Sequence, residues 1–442
     1  MDLSPPVLAI LIAAAAPGGG LAAQEPVADP GTVGYRGGLL FDGEGFRERD
    51  FWSAGGVLRF EAPAEIDATV ELAGAYVIPP LGDAHVHAFE SADRLEQEMA
   101  RYLAHGIFYA RNANNPRTAR DAVAERVARA DTPDVAYANG GLTASDAHPI
   151  PAYEGPALGV TSWEEGQRRA DEIRASRLRA GDAYFVVDGA EDLERVWPRV
   201  LDGRPALVKL YLFHSEDHAA RRAGGERAEG LDPELVPAIV ARARAAGLRT
   251  LAHIETAHDF QVAVESGVDE VAHMAGYGID RGDPAEVGGA VVGDELLGRA
   301  AERGLVVTPT FCRGPAMLRY LPESMRPDEE TRARIADFHR ETLRRLHAAG
   351  VRIAVGADLR GLTARDELFY FRDLEALDAL TLLQMACELT PRVIFPERKI
   401  GRLAEGYEAS FLVLPRNPLE DLDALQELSL AVKQGYRVYA AD

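Results

Sequence analysis

The chain has 442 residues, 47% hydrophobic and 27% charged, ordinary for a soluble globular protein and long enough for a large core and more than one domain. Its 48 Lys+Arg against 70 Asp+Glu give a formal charge of −22, which argues against nucleic acid or an anionic membrane surface as a partner. Only Cys312 and Cys387 are present, which excludes a disulfide framework or a Cys-rich zinc site and leaves free thiols as the expectation.

Residues 7–16 are a continuous apolar run, too short for an ordinary membrane-spanning helix. A Pro/Gly break and the small pair Ala22-Ala23 follow, so residues 1–23 are expected to be a cleaved signal peptide and the mature protein secreted or periplasmic. The first six residues depart from that pattern, carrying Asp2 and no Lys or Arg; a misassigned start or an uncleaved anchor are the alternatives. No other stretch has 18 uninterrupted apolar residues, so no membrane span is expected in the mature chain. Residues 24–32 read as a linker.

Residues 33–78 alternate short apolar runs with turns, and 397–442 do the same. Together they predict a small β-sandwich domain built from both chain ends. Between them, over 79–396, strand-like runs alternate with helix-like runs. The strands fall at 81–86, 107–111, 135–139, 206–211, 250–253, 269–273, 305–309 and 353–356, with helices including 163–177, 233–246 and 329–349. Eight strands separated by helices predict a (β/α)8 TIM barrel.

Such barrels build their sites at the C-terminal strand ends. Strand one ends in Asp83-Ala84-His85-Val86-His87, whose two histidines project to one face because strand side chains alternate. Strand four carries Lys209 inside an apolar run, strands five and six end in His253 and His273, and strand eight ends in Asp358. This donor set suits two divalent metal ions, most simply zinc: His85, His87 and Asp358 for one, His253 and His273 for the other. Two close dications need an anionic bridge. A buried lysine has a lowered pKa and can be a neutral amine, and addition of CO2 would convert Lys209 to a bridging carbamate. A bridging hydroxide completes the expected site.

The order His-x-His, Lys, His, His, Asp on successive strands resembles the metal-dependent amidohydrolase superfamily, in particular its carboxylated-lysine branch of prolidase-like and Xaa-Arg dipeptidase-like enzymes. Residues 106–112, 266–273 and 400–411 resemble that branch's second strand, sixth strand and C-terminal return to the small domain. The resemblance covers roughly residues 35–440. It departs at Pro79-Pro80-Leu81-Gly82, where members often show Pro-Gly, and at Leu359-Arg360-Gly361 after strand eight, where Arg360 is placed to enter the substrate mouth.

The resulting expectation is a binuclear hydrolase of an amide or peptide C–N bond, in a dipeptide or N-acyl amino acid. Asp358 acts as general base and then acid toward the leaving nitrogen. Tyr211 and His148 are candidate substrate-binding residues, Thr308 and Thr310 candidate pocket walls, and Arg111 or Arg313 candidate carboxylate binders. His214, His218, His258, His339 and His347 read as surface or packing residues. A lactone, ester or phosphotriester hydrolase on the same site, and a non-catalytic small-ligand binder, are the competing readings. Oligomerisation is left open.

Overall fold

The computed structural model describes residues 31–127, 129–278, 288–320, 323 and 326–440. The apolar leader at 7–16 and its cleavage region lie outside these residues. Among the described residues, no helix is long and apolar enough to cross a membrane.

The N-terminal part forms β1 (Thr32–Phe41), β2 (Phe46–Ala54), β3 (Val57–Arg59), β4 (Ala68–Glu71) and β5 (Tyr76–Ile78). Then come β6 (Leu81–Val86), β7 (Ile107–Asn112), β8 (Asp134–Tyr137), β9 (Gly141–Thr143) and β10 (Tyr184–Val186). They are followed by β11 (Val208–Tyr211), β12 (Thr250–His253), β13 (Glu270–Ala272), β14 (Val306–Thr308) and β15 (Arg352–Ile353). The C-terminal strands are β16 (Phe411–Leu414), β17 (Leu430–Lys433) and β18 (Tyr436–Ala440).

Both chain ends meet in one sheet of order β18-β17-β16-β5-β1-β2-β3, with β4 on β1. The joint is the antiparallel pair β5 and β16, where Val77 faces Val413. The two ends thus share one eight-stranded sheet, and its edge strand β3 meets the segment leading into β16 through a bridge between Val57 and Glu408. Tyr35, Phe51 and Phe411 pack as an aromatic cluster against this sheet, with ring centroids 4.8–5.1 Å apart.

The central strands are parallel, in a three-stranded sheet β6-β7-β8 and a seven-stranded sheet β10-β9-β11-β12-β13-β14-β15. They do not form one closed ladder. The break follows β8, where Asn139 takes φ +59°, a left-handed conformation that Asn tolerates better than most side chains. The Asn139 N–H donates to Asn115 Oδ1, and its side-chain amide donates to the Gly203 carbonyl, which holds the bend. Single backbone hydrogen bonds still join the sheet edges. Ala206 N–H donates to Tyr137 O at 2.8 Å, Ala84 N–H to Val355 O at 2.8 Å, and Asp358 N–H to His85 O at 2.9 Å. β6 and β7 are buried along their whole length, as expected of strands covered on both faces.

The covering helices follow their sequence patterns. Ala190–Asp202 buries Leu193, Val196, Trp197 and Val200, one stripe at helical spacing. Ala257–Ser266 starts at a capping box of Thr256 and Asp259 and stops at Gly267, whose φ of +77° ends the helix. The expected helix at 163–177 is two short ones, Trp163–Arg168 and Ala170–Ala175. Between β9 and β10 lies a helix, Ile150–Ala157, that the expected elements did not include. Cys312 and Cys387 are free and buried.

Gly356 has no side chain because three strands meet there. A Cβ would lie 2.7 Å from the His85 backbone nitrogen and 2.8 Å from Thr308 Cγ2. Gly356→Ala is expected to destabilise the fold by about 1–3 kcal/mol through overpacking, measured as a fall in the denaturation midpoint.

Candidate active site

Asp358 is the hub of the strand ends. Its Oδ1 lies 3.0 Å from His85 Nε2 and 3.3 Å from His87 Nε2. Its Oδ2 lies 3.2 Å from Arg313 Nε and 3.9 Å from His273 Nε2. Burial pushes the carboxyl's pKa up, but the His85 and His273 rings and the hydrogen bonds from His85 and His87 pull it well below the usual range. His273, Thr310 and Asp358 take φ of 72°, 55° and 51°. Such conformations cost non-glycine residues about 1–3 kcal/mol each and persist where neighbours over-determine them. Here His273 N–H donates to Thr308 O and Asp358 N–H to His85 O.

The second nitrogens of the histidines are held as well. His87 Nδ1 is 2.8 Å from Glu90 Oε1, His253 Nε2 is 3.0 Å from Glu255 Oε1, and His273 Nδ1 is 2.7 Å from Thr310 Oγ1. Burial lowers the pKa of His85 to about 4 and holds those of His253 and His273 well below the ordinary value. Neutral imidazole is the metal-binding form. Burial also opposes protonation of His87, but its hydrogen bonds to Asp358 and Glu90 prevail and lift it to about 9. Asp83, at the head of the motif, is fully buried and accepts the Ala364 N–H at 2.8 Å, tying strand one to the segment beyond Asp358.

Lys209 is 2% exposed, and its Nζ has no hydrogen-bond partner among the described residues. Burial brings its pKa down to about 7, with Asp358 opposing and Arg111 assisting. Its charge is felt at His85, His148, His253 and His273, which places it in the same cluster. Gly141 makes room for it, since a Cβ there would meet Tyr211 Cε2 at 2.7 Å and Lys209 Cγ at 2.9 Å.

On the substrate side, the rings of His148 and Tyr211 are 5.1 Å apart, and His148 lies 5.0 Å from His253. Phe213 stacks on His253 at 4.5 Å. The structure thus brings His148 to the site rather than to the surface. The two candidate arginines separate. Arg111 is 1% exposed, pairs with Glu270 at 2.8 Å and donates from Nε to the Ala84 carbonyl, so it is committed to the interior and is not a substrate ligand. Arg313 stands beside Asp358. Arg360 is exposed, 3.7 Å from Glu90, and borders a groove of about 390 Å³ with Tyr153 and Arg179.

Sequence reading missed Glu90, Glu255 and Tyr277. The first two had a signal: a carboxylate three residues past His87, and one two past His253, on the same strand face. Tyr277 had none.

Glu367 holds the loop that carries Thr310 and Arg313, accepting Phe311 N–H at 2.8 Å and Cys312 N–H at 2.6 Å. Burial lifts its pKa from 4.5 to about 8. The folded state therefore binds an extra proton between those values, so this group's contribution to stability is full below about pH 4.5 and is lost as pH rises through about 8. Glu367→Gln is expected to flatten that part of the stability–pH curve, read by denaturation between pH 5 and pH 9.

Residues 222–435 match the family described as the amidohydrolase family. That match covers a little under half of the 442-residue chain. The matched span contains His253, His273 and Asp358; His85, His87 and Lys209 precede it. Over 246 residues the chain is 25% identical to ochratoxinase of Aspergillus niger, covering 55% of this chain and 47% of that protein. It thus spans about half the length of the curated relatives it matches. Among solved structures, A. niger ochratoxinase superposes with a TM-score of 0.69 at 18% identity, over 94% of this chain and 97% of that one. A Xaa-Pro dipeptidase with methionine in its active site gives 0.67 at 19%, over 93% and 100%. A putative prolidase from Bifidobacterium longum gives 0.67 at 18%, over 94% and 95%.

Proposed function

We propose that this chain is an amidohydrolase: a metal-dependent hydrolase of an amide or peptide C–N bond, acting on a dipeptide or N-acyl amino acid. The observation that carries the reading is the convergence of His85, His273 and Asp358, whose ligand atoms all lie within 4.8 Å of one another, beside a buried lysine amine without a hydrogen-bond partner. The names of the relatives agree with it: a dipeptidase and a prolidase are among the structural neighbours. Within this reading the central strands act as a (β/α)8 barrel, residues 1–23 as an export signal, and the mature chain works outside the cytoplasm.

The residues present fit divalent metal. The neutral buried imidazoles of His85, His253 and His273 and a carboxylate held ionised are donor types zinc takes, and hydrogen bonds on the second nitrogens of His87, His253 and His273 orient those rings. His85, His87, His253, His273, Asp358 and Lys209, the last as a carbamate, would hold two ions. Bound there, the ions would supply Lewis acidity toward a carbonyl and lower the pKa of water.

The chain's own residues supply the rest. Asp358 accepts the proton of the attacking water and returns it to the leaving nitrogen. Burial pushes the Tyr211 phenol up, so it stays protonated and donates toward the substrate carbonyl, with His148 beside it. Arg313 offers its guanidinium to a substrate carboxylate. Arg313→Met is expected to lower kcat/KM by roughly 10–100-fold for a free-acid substrate relative to the same substrate capped as a carboxamide, the scale of one lost charge-assisted hydrogen bond.

The deciding experiment is metal content of protein purified with bicarbonate, followed by a panel of dipeptides, N-acyl amino acids and lactones. About two divalent ions per chain with amide turnover supports the proposal. Turnover confined to lactones or esters replaces the amide reading. An intact fold that takes up no metal and turns nothing over leaves a non-catalytic binder.

A further inference from the structure

The histidines of strands five and six stand at the end of the sheet ladder, His253 as its last paired residue and His273 just past it. β12 ends at His253, β13 ends one residue before His273, and His273 has left-handed backbone. Strand pairing therefore does not fix their rings, and other side chains must. Glu255 lies two residues past His253, with Oε1 3.0 Å from His253 Nε2. The same oxygen accepts the Tyr277 hydroxyl at 3.0 Å. The Tyr277 ring is 5% exposed, stacks on His273 at 4.1 Å and 15°, and stands edge-on to His253 at 6.2 Å and 84°. Gly276 N–H donates to the Glu255 carbonyl at 3.3 Å, which brings the two residues together along the backbone.

We propose that Glu255 and Tyr277 form one positioning pair that orients both histidines for metal. Glu255 occupies Nε2 of His253, so that ring has only Nδ1 to give. Tyr277 sets the plane of the His273 ring, whose Nδ1 is already taken by Thr310, so that ring gives Nε2. One carboxylate–phenol unit thus selects the donor atom on one ring and the tilt of the other. Removing it loosens two ligands at once. The inference rests on the metal reading above.

The test uses the full chain loaded with Co(II) in bicarbonate buffer, comparing wild type with Glu255→Leu, Glu255→Gln and Tyr277→Phe. Metal retention against a competing chelator, the visible Co(II) spectrum and thermal unfolding of the metal-free forms are recorded. Glu255→Leu is expected to weaken retention of one ion by about 10–100-fold and to change the spectrum. Tyr277→Phe should act in the same direction with a smaller effect, and Glu255→Gln, which keeps an acceptor, should recover most of the loss. Wild-type retention and spectrum in both Glu255→Leu and Tyr277→Phe overturn the inference alone. A folded wild type that binds no Co(II) overturns the metal reading and this inference with it. If Glu255→Leu does not fold, Tyr277→Phe decides, since it deletes one hydroxyl and keeps the ring.

Discussion

Asp358→Asn is expected to lower kcat for amide substrates by about 10²–10⁴-fold, the usual worth of a positioned acid–base group, with KM much less affected. Asparagine keeps the size of the side chain and still accepts from His85 and His87, but it cannot take up and return a proton. The environment makes aspartate suited to the role. Its two oxygens face four cationic or potentially cationic groups, His85, His87, His273 and Arg313. These keep the carboxyl ionised despite its burial. Metal analysis of the variant separates the two duties of the residue. Retained metal with lost turnover assigns it to proton transfer; lost metal makes it chiefly a ligand. Wild-type kcat with wild-type metal would remove Asp358 from the mechanism.

Lys209→Met is expected to move stability and function in opposite directions. A buried amine without a hydrogen-bond partner carries a desolvation cost of about 1–3 kcal/mol, so replacing it with an apolar side chain of similar length should stabilise the metal-free protein by that order. The same change removes the amine that the carbamate requires, so metal binding and hydrolysis should fall to background. Denaturant unfolding of both metal-free proteins, beside metal stoichiometry in bicarbonate, measures the two effects. A lysine serving as a structural ion pair would give the reverse: lower stability, with function following only the loss of fold. Turnover by a metal-free Lys209→Met protein would end the bridging role.

Much of this arrangement was legible in the sequence, for identifiable reasons. The limits of β6 and β12 agree with the strand-like runs expected at 81–86 and 250–253. The site strand ends were legible because His85, Lys209, His253, His273 and Asp358 are polar residues in or just past such runs. β9 and β10 were not; β9 opens on the Gly140-Gly141 pair, which reads as a turn. The pairing of β5 with β16, which joins the two ends, was not legible, because it is a long-range choice that composition does not record. Arg111 misled because a charged residue near a strand end looks the same whether it faces the mouth or an interior partner; Glu270, which decides the matter, is far away in sequence. Tyr277 lies beyond the last strand residue, in a stretch with no regular spacing to assign it a direction.

The joint between β5 and β16 also governs when the site can exist. β6, which carries His85, begins only two residues after β5 ends. The neighbour that anchors β5 on that side is made near the end of translation. Asp358, whose backbone N–H closes the edge against His85, likewise comes late. A nascent chain emerging from the ribosome can complete β7 and its covering helices early, but its first pair of histidines stays unbraced until the last strands are released. A chain stopped short of residue 411 would lack the C-terminal partner of β5 and would present a free strand edge close to the strand that carries His85.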